Sequence, residues 1–300
     1  MYNVGFGDCF CIRDRKSSLL VDFGAANSKI EGRPRREVFD VIISDLSTIK
    51  SKNLLLTHFH MDHLSGLLYM MKKKDISVDF GKIYLPDVFS KKEMSRTLVL
   101  LLLADLLKES GLPSRQVSLF ALVDALLENK QNVELLSREK LFENKYQALW
   151  PDTDVIRKET DEVYNRICED GKFKEVMDVL LEFAEKLRLI VWSMTAEGNK
   201  PAETVEKETD STASELTEQP EVRQKIIRAY VYEREFRRIK ALPDFKKLLA
   251  WLNENQINLR QFKHKISIVF QNARDGELNL LFTGEDRKST RLNSSHHDIS

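Results

Sequence analysis

The sequence is poor in the features that mark secreted, membrane-spanning or polyanion-binding proteins. Its 300 residues contain only three cysteines, Cys9, Cys11 and Cys168, an odd set without the spacing of a disulfide framework. The longest apolar run, Leu98 to Ala104, is far shorter than the roughly 18 to 20 residues that a membrane span needs. The 47 basic and 47 acidic side chains cancel, so net charge gives no argument for a nucleic-acid or membrane partner. Because residues 1–10 also lack a signal-peptide pattern, we expect a cytoplasmic setting that keeps thiols reduced.

Histidine is scarce too, yet half of the chain's six histidines lie within one hexapeptide. Leu54 to Leu56 predict a short buried strand, and the segment that leaves it carries four candidate metal ligands. Side chains two residues apart on an extended segment point the same way, so His58 and His60 can share one cation. The apolar spacing that follows predicts a helix whose first turn carries Asp62 and His63, which could hold a second cation.

The donor types narrow the chemistry of this cluster. Imidazole nitrogen and carboxylate oxygen without thiolate suit zinc, or manganese or iron under other conditions. An incomplete protein shell leaves room for a water, and such a water can supply hydroxide near neutral pH. The alternative is a surface histidine cluster at a helix start with a structural role or none. The metal site is favoured because this spacing arises rarely in a chain with so few histidines.

The segment His58-Phe59-His60-Met61-Asp62-His63 resembles the His-x-His-x-Asp-His signature of the metallo-β-lactamase-fold hydrolases. The resemblance implies an αββα sandwich whose strand ends carry one or, in the fuller case, two zinc ions. By position in the motif, His58 and His60 would serve the first metal, and Asp62 and His63 the second. Asp62 is also the candidate catalytic residue.

Two earlier segments extend the resemblance. Val4-Gly5-Phe6-Gly7-Asp8 and Leu20-Val21-Asp22-Phe23-Gly24 look like the opening of the same family. More narrowly, they resemble the branch that contains the metallo-β-lactamase domain of DNA-uptake competence channel proteins. In that family Asp22 would lie beneath the metal site and orient its histidines. Without the family, Asp22 and Gly24 are typical of a turn that ends a strand.

The C-terminal part resembles the family with one departure. Leu281 to Asp286 is similar to a family strand that ends Thr-Gly-Asp, whose aspartate bridges both metals, but here Glu285 precedes Asp286. The sequence leaves open which of these two carboxylates would bridge. His264, at the start of a predicted strand from His264 to Phe270, could be a ligand, although a surface or core role is favoured. Residues 287–300 resemble translated sequencing-adaptor read-through and are excluded from the site.

Hydrophobic periodicity predicts an α/β fold in which strands and helices alternate. Strands are predicted near residues 2–12 and 18–23, which form a hairpin, and near residues 54–56, 83–86, 132–136 and 146–150. Helices are predicted near residues 38–49, 64–71, 98–106 and 117–127, with a break at 111–113. This order is typical of the first half of a layered sandwich. Residues 264–270 and 278–284 predict a second hairpin around a turn at 274–276.

The predicted domain organisation has a sandwich that a helical insertion interrupts and that is incomplete at its C-terminus. We expect residues 1–150 to form the first half, residues 151–260 the insertion, and residues 261–286 the start of the second half. The insertion contains an amphipathic helix from Phe173 to Val191, whose apolar face needs a partner within the chain or on another subunit. It also contains a flexible linker near residues 195–222.

The sequence thus predicts a metal-dependent hydrolase that uses a zinc-activated water on an ester, amide or phosphodiester centre. Phosphodiester or nucleic-acid substrates, as opposed to other small molecules, follow only from the branch resemblance. The alternative from another class is an inactive scaffold that keeps the fold and docks a protein partner through its helical insertion. A flavodiiron-type oxidoreductase is a third alternative, and it requires a flavin domain that the sequence does not show.

Overall fold

The computed structural model of the chain describes residues 1–13, 17–73, 79–108, 118–169, 171–198, 238–272 and 281–283. The strands of these segments are β1 (Phe10–Arg13), β2 (Ser18–Val21), β3 (Lys29–Ile30), β4 (Arg33–Pro34), β5 (Lys52–Leu55), β6 (Ile83–Pro86), β7 (Val133–Leu136), β8 (Leu141–Phe142), β9 (Tyr146–Trp150), β10 (Val269–Asn272) and β11 (Leu281–Thr283). The longer helices are α1 (Arg35–Ser47), α2 (Met61–Met71), α3 (Ser95–Lys108), α4 (Ser118–Glu128), α5 (Thr153–Cys168), α6 (Lys174–Ser193), α7 (Phe245–Glu254) and α8 (Arg260–Lys265).

The first sheet has five strands in the order β1-β2-β5-β6-β7. β1 pairs antiparallel with β2, which confirms the predicted N-terminal hairpin, and the other neighbours run parallel. Parallel neighbours need crossover connections, and helices α1 to α4 lie in those connections. Because the carboxyl ends of parallel strands meet at one edge, the segments that follow β2 and β5 lie side by side there.

Alternate residues of the central strands face two different cores, because side chains along a strand point to opposite faces. Leu20 and Leu54 belong to the larger core, which the first sheet shares with the helices. Val21 and Leu55 belong to a smaller core between the two sheets. All four residues of β2 are buried, as expected of a strand that is covered on both faces.

The second sheet is antiparallel, with the strand order β11-β10-β9-β8. Phe270 of β10 stacks on Phe282 of β11, with ring centroids 4.8 Å apart. Phe142 of β8 contacts both Phe270 and Tyr84 of the first sheet, so the two sheets pack face to face. The pairing of β10 with β11 confirms the second predicted hairpin, and β8 was not predicted. The mixed α/β class is confirmed, whereas the αββα sandwich stays a prediction.

The helices beyond residue 151 pack on the N-terminal part of the chain. α3 lies against both α5 and α6, and Phe120 of α4 contacts Phe183 of α6 with ring centroids 5.1 Å apart. The apolar side of α6, with Leu180 and Leu187, is buried in the larger core, so the predicted amphipathic helix finds its partner within the chain. The proposed division into domains stays a prediction. None of the described helices is both long and apolar enough to cross a membrane.

Two predicted strand boundaries are wrong. The first strand begins at Phe10, whereas the sequence pattern predicts it from about residue 2. The sequence pattern predicts a strand from His264, but residues up to Lys265 belong to α8 and the strand begins at Val269. Packing of α8 against α3 buries Phe262 and holds this segment in a helical conformation. Other predictions lie outside the described residues: the helix break near 111–113, the turn at 274–276 and most of the linker near 195–222.

Candidate metal centre

The carboxylate of Asp22 ties the ends of β2 and β5 together. Its two oxygens accept hydrogen bonds from the backbone N–H and the hydroxyl of Thr57, at 2.8 and 2.7 Å. The backbone N–H of Asp22 donates to the carbonyl of Leu55 at 2.8 Å. Asp22 has a φ of 55°, a conformation that is uncommon for a residue with a side chain and that these bonds hold in place.

The same carboxylate orients His63 on the first turn of α2. His63 Nδ1 lies 2.9 Å from Asp22 Oδ2 and 3.7 Å from Asp8 Oδ2, while its Nε2 lies 3.7 Å from Asp62 Oδ2. Burial lowers the pKa of His63, but the charge and hydrogen bond of Asp22, together with the charges of Asp62 and Asp8, outweigh it and raise this pKa to about 9. Metal-free His63 is therefore protonated at neutral pH, and its Nε2 faces Asp62.

Two glycines allow the start of α2 to approach the segment after β2. The backbone N–H of Phe23 donates to the carbonyl of His63 at 2.8 Å, and Gly66 donates to the carbonyl of Phe23 at the same distance. A Cβ on Gly24 would lie 2.4 Å from the carbonyl oxygen of Asp62, and one on Gly66 would lie 2.5 Å from the ring of Phe23. Side chains at these positions would push the helix start away from its support.

Three imidazoles converge beside this cluster. One ligand nitrogen each from His58, His60 and His264 lies within 4.8 Å of the others. The ring centroids of His60 and His264 are 4.8 Å apart, and those of His58 and His60 are 4.6 Å apart. The sequence pattern favours a surface or core role for His264. The structure instead brings it next to two of the predicted ligands.

His264 lies near the end of α8, and the segment that follows this helix is joined to the histidine motif. The backbone N–H of Ile268 donates to the carbonyl of Thr57 at 2.8 Å, which joins this segment to the residue before His58. Phe262 and Ile266 are buried on either side of His264 in the chain. The only sequence signal for His264 is that it is the sole other histidine before residues 287–300, because nothing in its neighbourhood forms a motif.

The protonation and bonding of these rings suit a divalent metal. Burial, and then the neighbouring His63 and His60, hold the pKa of His58 well below 6.5, so its ring is neutral. Its Nε2 lies 2.9 Å from Nδ1 of His60, and a metal would replace this contact between the two rings. Among the described residues, the buried Nδ1 of His264 has no hydrogen-bond partner. A buried imidazole nitrogen without a partner is unfavourable, and metal coordination would satisfy it.

The remaining predicted site residues fall into three classes. Asp22 and His63 form, with Asp8, a second group of candidate ligand atoms within 4.8 Å of one another. Asp62 belongs to neither group, although it lies beside His63 and its side chain is 34% exposed. Glu285 and Asp286 lie outside the described residues, so the question of the bridging carboxylate stays open. The assignment of individual ligands remains a prediction.

Sequence reasoning missed Asp8 as well as His264. Asp8 stands in the quoted segment Val4 to Asp8, which carries the resemblance but from which no role follows for it. Its backbone carbonyl accepts from the N–H of Gly24 at 3.2 Å, so the N-terminal segment is joined to the loop after β2. That contact brings the carboxylate of Asp8 towards His63.

Comparison with known proteins supports the N-terminal part of this centre. A family model described as the Metallo-beta-lactamase superfamily matches residues 2–86, a range that includes Asp8, Asp22 and the histidine motif. No curated protein and no solved structure gave a significant match. His264 lies outside the matched range, and the match does not separate the competence-protein branch from the rest of the superfamily. Residues 2–86 thus match the metallo-β-lactamase superfamily, whose members typically bind metal ions and are generally hydrolases.

Proposed function

We propose that this protein is a metal-dependent hydrolase with its metal held by His58, His60 and His264. The observation that carries the proposal is the convergence of these three imidazoles from two segments far apart in the chain. Two of them belong to the matched family motif, and the third has a buried nitrogen without a partner among the described residues. Three nitrogen ligands leave a coordination position for water, as in catalytic zinc sites.

The neighbouring acidic groups would complete the centre. His63 Nε2 and the carboxylate of Asp62 face each other and are suited to hold a second ion, while Asp22 fixes the orientation of His63. A bound divalent ion supplies charge that polarises the bond to be cleaved and lowers the pKa of a coordinated water. Zinc fits these nitrogen and oxygen donors best, with manganese or iron as alternatives.

Asp62 is the proposed proton acceptor. Its carboxylate is partly exposed at the helix start, within 3.7 Å of the buried His63, so it can reach both solvent and the centre. A carboxylate in this position can take the proton of an attacking water and release it to solvent or to a leaving group. An ester, amide or phosphodiester centre would suit this chemistry, and the phosphodiester class rests on resemblance to the competence-protein branch.

The scaffold hypothesis has less support. It assigns partner docking to the helical insertion, but the apolar side of α6 is already covered by other parts of this chain. A docking arm would need an apolar face that is available to a partner.

Metal content and hydrolysis together test the proposal. We expect the purified chain to retain one or two zinc ions after dialysis and to cleave bis(p-nitrophenyl) phosphate or p-nitrophenyl acetate. His60→Ala should lower metal content and reduce activity by more than about 100-fold, since a direct ligand matters more than the groups that orient it. His297→Ala, which removes a histidine from residues 287–300, is the matched control and should change neither. Unaltered metal content in His60→Ala would overturn the assignment.

A further inference from the structure

A buried ion pair anchors the helix that carries His264. Lys263 of α8 pairs with Asp105 of α3, and both side chains are almost completely buried. Charged side chains are rarely buried unless they are paired, and a pair of this kind is weak evidence of added stability. In some proteins such a pair instead fixes one arrangement of the packed elements, because the contact between the two charged groups is directed.

The short length of α8 indicates what this ion pair does. α8 spans only Arg260–Lys265, less than two helical turns, so apolar contacts alone define its rotation poorly. Consecutive residues of a helix are rotated by about 100°, so fixing Lys263 towards α3 also fixes the direction in which His264 points. That direction leads to His58 and His60.

The charge of Lys263 makes its partner important. Lys263 directly precedes His264 in the chain, so an uncompensated ammonium group there would lie near the proposed metal and oppose its binding. Asp105 on α3 compensates that charge, and α3 packs against α8. Without Asp105, the buried ammonium group of Lys263 would be unpaired, which is unfavourable, and α8 would shift to expose it. His264 would be displaced with the helix.

We propose that Lys263 and Asp105 are positioning residues of the metal centre, which hold His264 in register with His58 and His60. The proposal rests on the proposed function, since it assigns a role towards a metal. It goes beyond the family motif, because neither residue lies in the matched range and neither touches the metal in the proposed arrangement.

Three variants test it. Asp105→Asn keeps the shape of the side chain and removes its charge, Lys263→Met removes the cation, and Lys263→Met with Asp105→Leu replaces the pair by apolar groups. The control is Arg188→Met, because Arg188 is another buried cation of the helical layer, paired with Glu185 and hydrogen-bonded to the backbone of Phe89. Zinc affinity is measured by competition with a chelator, and the histidine rings of the metal-free protein are observed by NMR.

We expect all three variants to weaken zinc binding by about 10- to 100-fold, the usual effect of removing a group that orients a ligand. In the metal-free protein, the ring signals of His264 should shift in these variants and not in Arg188→Met. The control should lower the melting temperature and leave zinc affinity within about threefold.

Two results would overturn the proposal. Lys263→Met with unchanged or tighter zinc binding would mean that the lysine merely opposes the metal. A double variant with the zinc affinity of the unaltered protein would mean that apolar packing alone positions His264, and this variant stays informative if Asp105→Asn does not fold. Failure of the unaltered protein to bind zinc would count against the proposed function, whereas the NMR comparison would still test the positioning role.

Discussion

The two segments that bring histidines to the candidate metal centre are held in different ways. Residues 57–63 follow β5 directly, and short hydrogen bonds to Asp22 and Phe23 fix their conformation. His264 arrives from a segment held by α3 through Phe262 and the pair between Lys263 and Asp105. The first arrangement depends mainly on backbone contacts between neighbouring strand ends, and the second on side-chain packing between helices far apart in sequence. Removal of the contacts that hold one segment should therefore displace the histidines of that segment and leave those of the other in place.

The largest effect is expected from Phe262→Ala, which removes the buried apolar contacts of the second segment. Phe262 is 1% exposed, and truncation of a buried phenylalanine costs about 3–5 kcal/mol. We expect the free energy of unfolding, from urea titration, to fall by about that amount and zinc affinity to fall with it, because α8 loses its apolar anchor.

Phe120→Ala provides the matched control for Phe262→Ala. Phe120 is also buried, but it contacts Phe183 in the helical layer and carries no part of the centre. It should lose comparable stability and keep its zinc affinity. Equal losses of affinity in both variants would show that the second segment responds to general stability and has no specific support.

Gly24→Ala disturbs the packing of the first segment and should have an intermediate effect on stability and zinc binding. The new Cβ would lie 2.4 Å from the carbonyl oxygen of Asp62, and overpacking of this kind costs about 1–3 kcal/mol. Displacement of the helix start should also weaken zinc binding, as read by chelator competition. Gly171→Ala is the control, since its Cβ would meet no atom within 4 Å although its φ of 64° is unfavourable for alanine. If both variants bind zinc equally well, the close approach at Gly24 does not position the ligands.

The smallest effect is the change of the free energy of unfolding per pH unit in the metal-free protein. It arises from two histidines of the first segment, His58 and His63. His58 has a pKa well below 6.5 in the folded state, so unfolding takes up a proton and stability should fall as pH drops below about 6.5. His63 has its pKa raised to about 9, so its stabilising contribution is complete below about 6.5 and is lost as pH rises through 9. Each slope should be about 1 kcal/mol per pH unit.

Urea titrations between pH 5 and pH 10 with a chelator present measure both slopes. Asp22→Asn removes the largest of the charges that raise the pKa of His63 and should reduce the loss of stability on the alkaline side, while Asp62 and Asp8 remain. The acid side should remain, because burial is the main cause of the shift at His58. An alkaline slope that is unchanged in Asp22→Asn would contradict the assignment to the pair of His63 and Asp22.

Local patterns predicted most of the elements that build the first sheet. The hairpin of β1 and β2, strands β5 to β7 and helices α1 to α4 follow from hydrophobic periodicity, because each element must turn one face or both towards a core. The strand predicted at His264 was wrong, since the burial of Phe262 and Lys263 against α3 is not visible in the local pattern. The short strand β8 escaped prediction because two residues carry too little periodicity.

The sequence by itself determined that His58, His60, Asp62 and His63 lie together, because an extended segment followed by a helix start delivers neighbouring residues to one place. It also indicated the role of Asp22, through the resemblance of its strand end to a known family. Only the tertiary structure decided that His264 joins these residues, and that Asp8 approaches His63. The physical reason is that contacts between residues far apart in the chain depend on how whole helices and sheets pack, and a single sequence carries that information only through the complete fold.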